Sequence, residues 1–328
     1  VSSKPTEPGG SNLHIPVMAA EVLRELITDG DGVYCDLTLG LGGHAESIME
    51  KLSNQGRLIG IERDDQAAAI ARERLSRFGA RVTVVHRNYR DVGEICRTLG
   101  VETIAGALAD LGLSSLQLDD SGRGFSYQLD GPLDLRFDRS TGQPASDWLN
   151  EASEQSIASV LAEYGEEPRA RQIARRIVAT RAQEPVTTTT QLREIVIASV
   201  GRRSSVWGRA CARCLQAIRI FINSELNALP VALKAVLDLL APGGRLVVIA
   251  YHSLEDRIVK EIFREAARRC DCPPAYPQCV CGAQPLGRIV HRKVLRPTEA
   301  EVAANPRSRS ARMRVFEKEM RHAEGGAQ

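Results

Sequence analysis

The sequence predicts an α/β protein in which a parallel sheet with crossover helices is interrupted by an all-helical insert. Three observations lead there. Short apolar runs alternate with helical segments between residues 33 and 109, the pattern of βαβ units. After a long loop, residues 147–200 carry helical patterns and no strand pattern. A Pro-Gly-Gly turn at 242–244 finally returns the chain to a strand-like run at 245–250.

Taken in order, residues 17–27 place Val17, Ala20, Leu23, Leu26 and Ile27 on one helical face. Strands are expected at 33–37, 58–61, 82–85 and 104–109, with helices between them at 45–52, 66–78 and 92–99. Residues 119–142 are rich in Gly, Asp and Arg and read as a long functional loop. Helices follow at 147–149, 154–164, 168–181 and 190–200. Ser146 or Ser153 is placed to cap the first two, and 187–190 to start the last. Residues 214–240 continue the helical pattern, broken by Pro230. Ser253 is expected to cap a helix through 267, residues 270–287 form a Pro/Cys/Gly loop, and 312–318 a last strand. The expected organisation is a disordered lead-in (1–11), a discontinuous α/β domain (12–120 and 208–320), the helical insert (121–207) and a disordered tail (321–328).

Composition narrows the class. The 328 residues are long enough for a sizeable core, and 4% aromatics make that core mostly aliphatic. A net charge of +2 is too near zero to argue for nucleic acid by itself. No apolar run approaches the roughly 18 residues that span a bilayer, and the polar start lacks a signal-peptide core. A cytoplasmic protein with no membrane partner is expected.

The chemistry gathers at Val33-Tyr-Cys-Asp-Leu-Thr-Leu-Gly-Leu-Gly-Gly-His-Ala45. An apolar run stops at Asp36 and a glycine cluster lets the backbone turn and approach a ligand closely. Glu62 ends the next apolar run, where nucleotide-binding βαβ units place the carboxylate that holds ribose hydroxyls. An adenosine-bearing cofactor follows from the pair. His44 opens a helix, where a cofactor carboxylate is favoured. Tyr89 follows the third strand, where an aromatic can cover adenine. Asp110 ends the fourth strand, at the edge where open α/β sheets bind ligands. The loop also fits G-x-G-x-x-A, so a nicotinamide-dependent oxidoreductase is the alternative. The late turn at 241–244, after a long helix, is more typical of methyltransferases using S-adenosylmethionine.

Longer runs are distinctive: His14-Ile-Pro-Val-Met18, Gly40-Leu-Gly-Gly-His44, Asp110-Leu-Gly-Leu-Ser-Ser-Leu-Gln-Leu-Asp119, Arg123-Gly-Phe-Ser126, Asp130-Gly-Pro-Leu-Asp-Leu-Arg136, Gln216-Ala-Ile-Arg219, Asn223-Ser-Glu-Leu226, Tyr251-His-Ser-Leu-Glu-Asp-Arg-Ile-Val-Lys260 and Asn305-Pro-Arg-Ser-Arg-Ser310. Through them the chain resembles the bacterial MraW/RsmH family from about His14 to Glu317. The resemblance implies a class I, Rossmann-like S-adenosylmethionine methyltransferase sheet with an inserted helical subdomain. It also implies N4-methylation of a cytidine in the decoding region of small-subunit (16S) ribosomal RNA, within an assembling or assembled 30S particle. An oligomer is compatible with it. The family's cofactor contacts fall on Gly42, Gly43, His44, Glu62, Tyr89, Asp110 and Gln117. Glu62 stands where the family often has Asp, and Tyr251 where Phe is common. Cys211 and Cys214 depart from it just before Gln216.

For the reaction, Asp110 is expected to bridge cofactor and amine, with Asp134, Arg136 and Asp138 holding the cytosine edge or its phosphate. A salt-bridged loop is the alternative for those three. The Asn/Asp-Pro-Pro-aromatic turn of many amino-methyltransferases is replaced here by Asp110-Leu-Gly-Leu, so an aromatic clamp has to come from elsewhere. Arginines cluster at 169–181, at 202–219 and at 288–314 (with Lys293), suited to phosphate. A non-catalytic RNA-binding protein is the second alternative. Cys270, Cys272, Cys279 and Cys281 form a compact four-thiol set that zinc would accept. Their C-x-C spacing is less typical than C-x-x-C, however, and cysteine packing in a proline-rich loop is the other reading. The resemblance implies no required metal, and none is assigned.

Overall fold

The computed structural model describes residues 16–270, 272, 281 and 283–320. The lead-in, the tail and Cys279 lie outside the described residues. Helix α1 (Ala19–Leu26) precedes β1 (Val33–Asp36). Then α2 (Gly43–Lys51), β2 (Arg57–Glu62), α3 (Asp65–Leu75), β3 (Val82–His86), α4 (Val92–Thr98) and β4 (Ile104–Asp110) alternate. A short α5 (Ser115–Asp119) opens the long loop. Next come α6 (Ala145–Glu151), α7 (Glu154–Glu163), α8 (Ala170–Arg181), α9 (Thr189–Val200) and α10 (Ser204–Asn223). The chain returns through α11 (Glu225–Leu239), β5 (Leu240–Ala250), α12 (Ser253–Ala266), β6 (Gly287–Ile289), α13 (Glu299–Ala304) and β7 (Arg312–Lys318).

Seven strands pair in the order β3-β2-β1-β4-β5-β7-β6. The first five are parallel, and β7 runs antiparallel to both its neighbours. Strand order reverses between β1 and β4, the place where open α/β sheets form a ligand crevice. Helices cover both faces, so period-two alternation sends successive residues into different cores. Cys35, Ile59, Ala107 and Val248 pack with Ile95 of α4, Leu233 and Val236 of α11, and Phe263 of α12. Tyr34, Leu58, Leu108 and Val247 pack with Leu26 of α1, Ile48 of α2 and Leu75 of α3.

A third core joins the helices after β4. Trp148, Ile157, Ile173, Leu192, Cys214 and Ile218 meet there, so α10 packs as part of the helical unit through Ile218. Helices α10 and α11 then bend by 58°. The bend falls at Ser224, whose φ of 51° is left-handed, and not at Pro230 as expected. Pro230 sits inside α11, where its missing N–H leaves the carbonyl of Leu226 without its helical donor. Caps differ too. Ser153 caps α7 and Thr188 caps α9 in a capping box with Gln191. Pro144, not Ser146, precedes α6, and His252 replaces Ser253 as the cap of α12. The edge strand β6 is too short to show in the sequence pattern. No single described helix is long and apolar enough to cross a membrane.

Candidate active site

A cavity of about 740 Å³ opens between the carboxyl ends of β1, β2 and β4 and the inner face of the helical unit. Its sheet side is built from the β1–α2 bend. Gly42 holds a left-handed φ of 80° as the residue before α2. At Gly43 a Cβ would lie 2.9 Å from Cγ of Pro16, closer than packing allows. The bend carries Gly40 onto the end of β2, where the Gly40 N–H donates to Glu62 Oε2 at 2.6 Å. The N–H groups of Arg63 and Asp64 donate to Glu62 Oε1, both at 2.8 Å. Burial raises the Glu62 carboxyl pKa, and these three N–H groups oppose the rise. The side chain is therefore fixed in place, and Oε2 keeps a lone pair.

Asp110 ends β4 inside this cavity. Its N–H donates to Thr38 Oγ1 at 2.7 Å, and Tyr251, just past β5, donates its hydroxyl to Oδ1 at 2.8 Å. Burial, then the Asp110 charge, pushes the Tyr251 hydroxyl pKa well up, so it stays a donor. Oδ2 accepts no hydrogen bond among the described residues; His44 Nε2 stands 3.5 Å from it and is itself buried without a hydrogen-bond partner. Behind the bend Asp36 is 1% exposed, with Oδ2 buried and unpartnered. Burial raises its pKa to about 7, helped by the charges of Asp110 and Glu62 and opposed by His44.

Opposite, Tyr89 lines the cavity with its hydroxyl on the carbonyl of Glu225 at 3.3 Å. Arg219 forms a bidentate pair with Glu225 at 2.8 and 3.0 Å. His252 Nε2 lies 3.1 Å from Glu255, whose pKa burial would raise but the His252 contact lowers on balance. Phe125 and Phe137 stack at 5.6 Å between centroids and both face the cavity.

Other expected residues stand elsewhere. Asp134 and Arg136 do not line the cavity. They pair at 2.7 and 3.0 Å, Arg139 joins Asp134 at 3.1 Å, and Arg136 spends its remaining donors on carbonyls of Arg139, Thr141 and Gly142. Asp138 accepts from Ser140 and Thr141. The long loop is thus held by its own ion pairs. Gln117 lines the cavity but uses its amide to hold Ser114 N–H and Asp64 Oδ2. Asp64 in turn forms a fully buried pair with Arg123 at 2.7 Å. Sequence reasoning passed over Asn223, which is 1% exposed. Its Nδ2 donates to the carbonyl of Leu135 at 2.7 Å, and its Oδ1 accepts from Phe137 N–H at 2.9 Å. Leu135, at a φ of 62°, is thereby held in a strained conformation beside the cavity. Only the buried polar character of Asn223, invisible in one sequence, would have exposed this role.

The arginine clusters divide as well. Arg213 pairs with Glu167, Arg312 and Arg314 with Asp256, Arg288 with Glu317 and Arg307 with Asp119. Arg181 bonds the carbonyl of Leu149. Arg171, Arg176, Arg202, Arg203, Arg292, Lys293, Arg296 and Arg309 remain exposed.

A 3-2-1-4-5-7-6 sheet with β7 reversed, a glycine bend after β1, an acid ending β2 and another ending β4 is the architecture of the class I, S-adenosylmethionine-dependent methyltransferases. The family model of the MraW methylase family matches residues 11–319. A protein of Geotalea uraniireducens named ribosomal RNA small subunit methyltransferase H is 48% identical over 306 residues, covering 93% of this chain and 98% of its own. One of the same name from Heliobacterium modesticaldum is 47% identical over 307 residues, with the same coverages of 93% and 98%. The chain belongs to the MraW methylase family, which rules out the oxidoreductase alternative. Among solved structures, an rRNA methylase from Streptococcus thermophilus matches at 12% identity with a TM-score of 0.41, over 92% of this chain and 94% of that one. That likeness is too low to bear on the fold, which rests on the strand order itself.

Proposed function

We propose that this protein methylates N4 of a cytidine in the decoding region of small-subunit ribosomal RNA, using S-adenosylmethionine, and that it acts on a 30S particle. The relatives' name supports the substrate class, and the pocket supports the cofactor. Asp36, Glu62 and Asp110 converge around the glycine bend, an acidic setting suited to a cationic sulfonium. Two buried polar atoms there, Asp36 Oδ2 and His44 Nε2, have no hydrogen-bond partner among the described residues. We assign the ribose hydroxyls to Glu62, the amino-acid end to Gly42, Gly43 and His44 at the positive end of α2, and the adenine neighbourhood to Tyr89. Gln117 serves by holding Asp64. When bound, S-adenosylmethionine supplies an electrophilic methyl group.

One observation carries the catalytic reading: Asp110 Oδ2 is held inside the cavity and accepts no hydrogen bond from the described residues, with His44 Nε2 beside it at 3.5 Å. The N4 amine of cytosine is a weak nucleophile because its lone pair is delocalised into the ring. An N4–H donated to Asp110 Oδ2 orients the nitrogen and offsets the positive charge that grows on it. The carboxylate cannot swing away, because Tyr251 holds its other oxygen. Positioning within about 3–3.5 Å is the larger share of the work. Phe125 and Phe137 offer the aromatic wall that the sequence around Asp110 lacks, and Asn223 fixes it. N4 lies on the pairing edge, so the base has to enter unstacked and unpaired. Asp134 and Arg136 act by keeping this loop in shape. The exposed arginines of α8 and of 292–309 meet phosphates.

The test is transfer of labelled methyl from S-adenosylmethionine to 30S particles that lack the modification. Label is expected in the small-subunit RNA. Absence of label in both 30S particles and free RNA overturns the reading.

A further inference from the structure

Away from the cavity, the segment 267–286 between α12 and β6 is long and lacks regular structure among the described residues. At its base, Leu286 N–H donates to the carbonyl of Ala266 at 2.8 Å. Within it Cys270, Cys272 and Cys281 bring their sulfur atoms within 4.8 Å of one another. We propose that these three cysteines form a thiolate site for a soft divalent cation of the zinc type.

Geometry favours a metal over a disulfide. Cys270 Sγ and Cys281 Sγ stand 3.8 Å apart, far beyond the roughly 2.05 Å of an S–S bond. Two thiolates on one tetrahedral ion, each bonded at about 2.3 Å, sit about 3.8 Å apart. The Cys272 N–H donates to Cys270 Sγ at 3.4 Å. Such a bond stabilises a thiolate and orients it as a ligand. Sulfur-only ligation selects zinc-like ions over magnesium or calcium. The four other described cysteines, Cys35, Cys96, Cys211 and Cys214, are all buried in the cores, so this trio, exposed at Cys270 and Cys281 and half-buried at Cys272, is a separate set. The ion would tie Cys270 and Cys272 to Cys281 across the intervening chain, a loop closure that lowers the entropy of the unfolded state.

This site is distant from the reaction. α12 begins beside the cavity at His252 and ends at this loop after 14 residues, about 21 Å of helix. The inference does not rest on the identity of the methyl acceptor. Metal loss should loosen the loop and leave the chemistry in place.

The experiment uses the full chain purified under reducing conditions, stripped with a chelator and titrated with cobalt(II), then competed with zinc. The expected result is an intense thiolate-to-cobalt charge-transfer band saturating at about one ion per chain. In Cys270→Ser and Cys281→Ser, cobalt affinity should fall by about a hundredfold or more. Both positions are exposed, so the variants are expected to fold, and circular dichroism checks that they do. Absence of the band in the reduced wild type overturns the site, as does a band of unchanged affinity in both variants.

Discussion

Tyr251 donates its hydroxyl to Asp110 Oδ1 at 2.8 Å, and so ties the end of β5 to the end of β4 across the mouth of the cavity. One oxygen of the carboxylate is anchored, while the other accepts no hydrogen bond from the described residues. Replacing Asp110 by Ala should lower kcat about a hundred- to a thousandfold, the usual cost of losing one preorganised electrostatic partner. Tyr251→Phe keeps the ring and loses only the anchor. Its kcat should fall about fivefold, near 1 kcal/mol. Single-turnover methyl transfer on 30S particles measures both, and equal losses in the two variants would contradict the division of roles.

Asp36 has a pKa of about 7 in the folded protein against an ordinary value of 3.8. The folded chain therefore keeps a proton that the unfolded chain has lost over this window. That contribution to stability is present below about pH 4 and is lost as pH rises through about 7. Asp36→Asn should flatten this slope in urea unfolding. A cation in the cavity favours ionised Asp36, so wild-type affinity for S-adenosylmethionine should rise from about pH 6 to about pH 8 and level off in the variant. Calorimetry across that range reads it directly.

Asn223 is the clasp for the strained Leu135. Asn223→Ala leaves the Phe137 N–H and the Leu135 carbonyl without their buried partner, a loss of about 2–3 kcal/mol. Urea midpoints should drop accordingly. KM for the particle should rise as well, because Leu135 and Phe137 face the cavity.

The Asp64–Arg123 pair joins the cap of α3 to the start of the long loop, with side chains 0% and 2% exposed. Arg123→Ala strands a buried carboxylate and should cost about 3–5 kcal/mol. Arg139→Ala, which removes a half-exposed partner of Asp134, should cost about 1 kcal/mol or less. Denaturant unfolding of the two variants side by side tests this ordering.

Arginines already spent on partners should not behave like those left exposed. Arg171→Ala and Arg176→Ala should each lower the slope of log affinity against log salt for ribosomal RNA by about 1. Arg213→Ala should instead destabilise the helical unit through Glu167, with a smaller effect on the slope. Filter binding at several salt concentrations distinguishes them.

Most of the fold was legible because β1, β2 and β4 are largely buried on both faces and bounded by turns, while the short apolar runs of β3 and β7 stand between polar segments. The elements that were missed depend on distant partners. β6 exists only because β7 offers an edge. The break falls at Ser224, between α10 packed in one core and α11 packed in another, whereas Pro230, the strongest breaker nearby, stays inside α11 at the loss of one helical hydrogen bond. Around the cavity, Glu62 and Asp110 announced themselves by ending strands and Gly42 by following one. Asp134 and Arg136 were equally conspicuous, yet their charges are consumed by each other and by Arg139. A single sequence shows which residues carry charge, not which charges are already paired.

The most direct measurement is mass mapping of small-subunit RNA from cells lacking this protein, complemented with the wild type or with Asp110→Ala. One restored methyl group is expected, on N4 of a decoding-region cytidine, present with the wild type and missing with the variant. A methyl group on a ring carbon or a ribose, or restoration by Asp110→Ala, would contradict it.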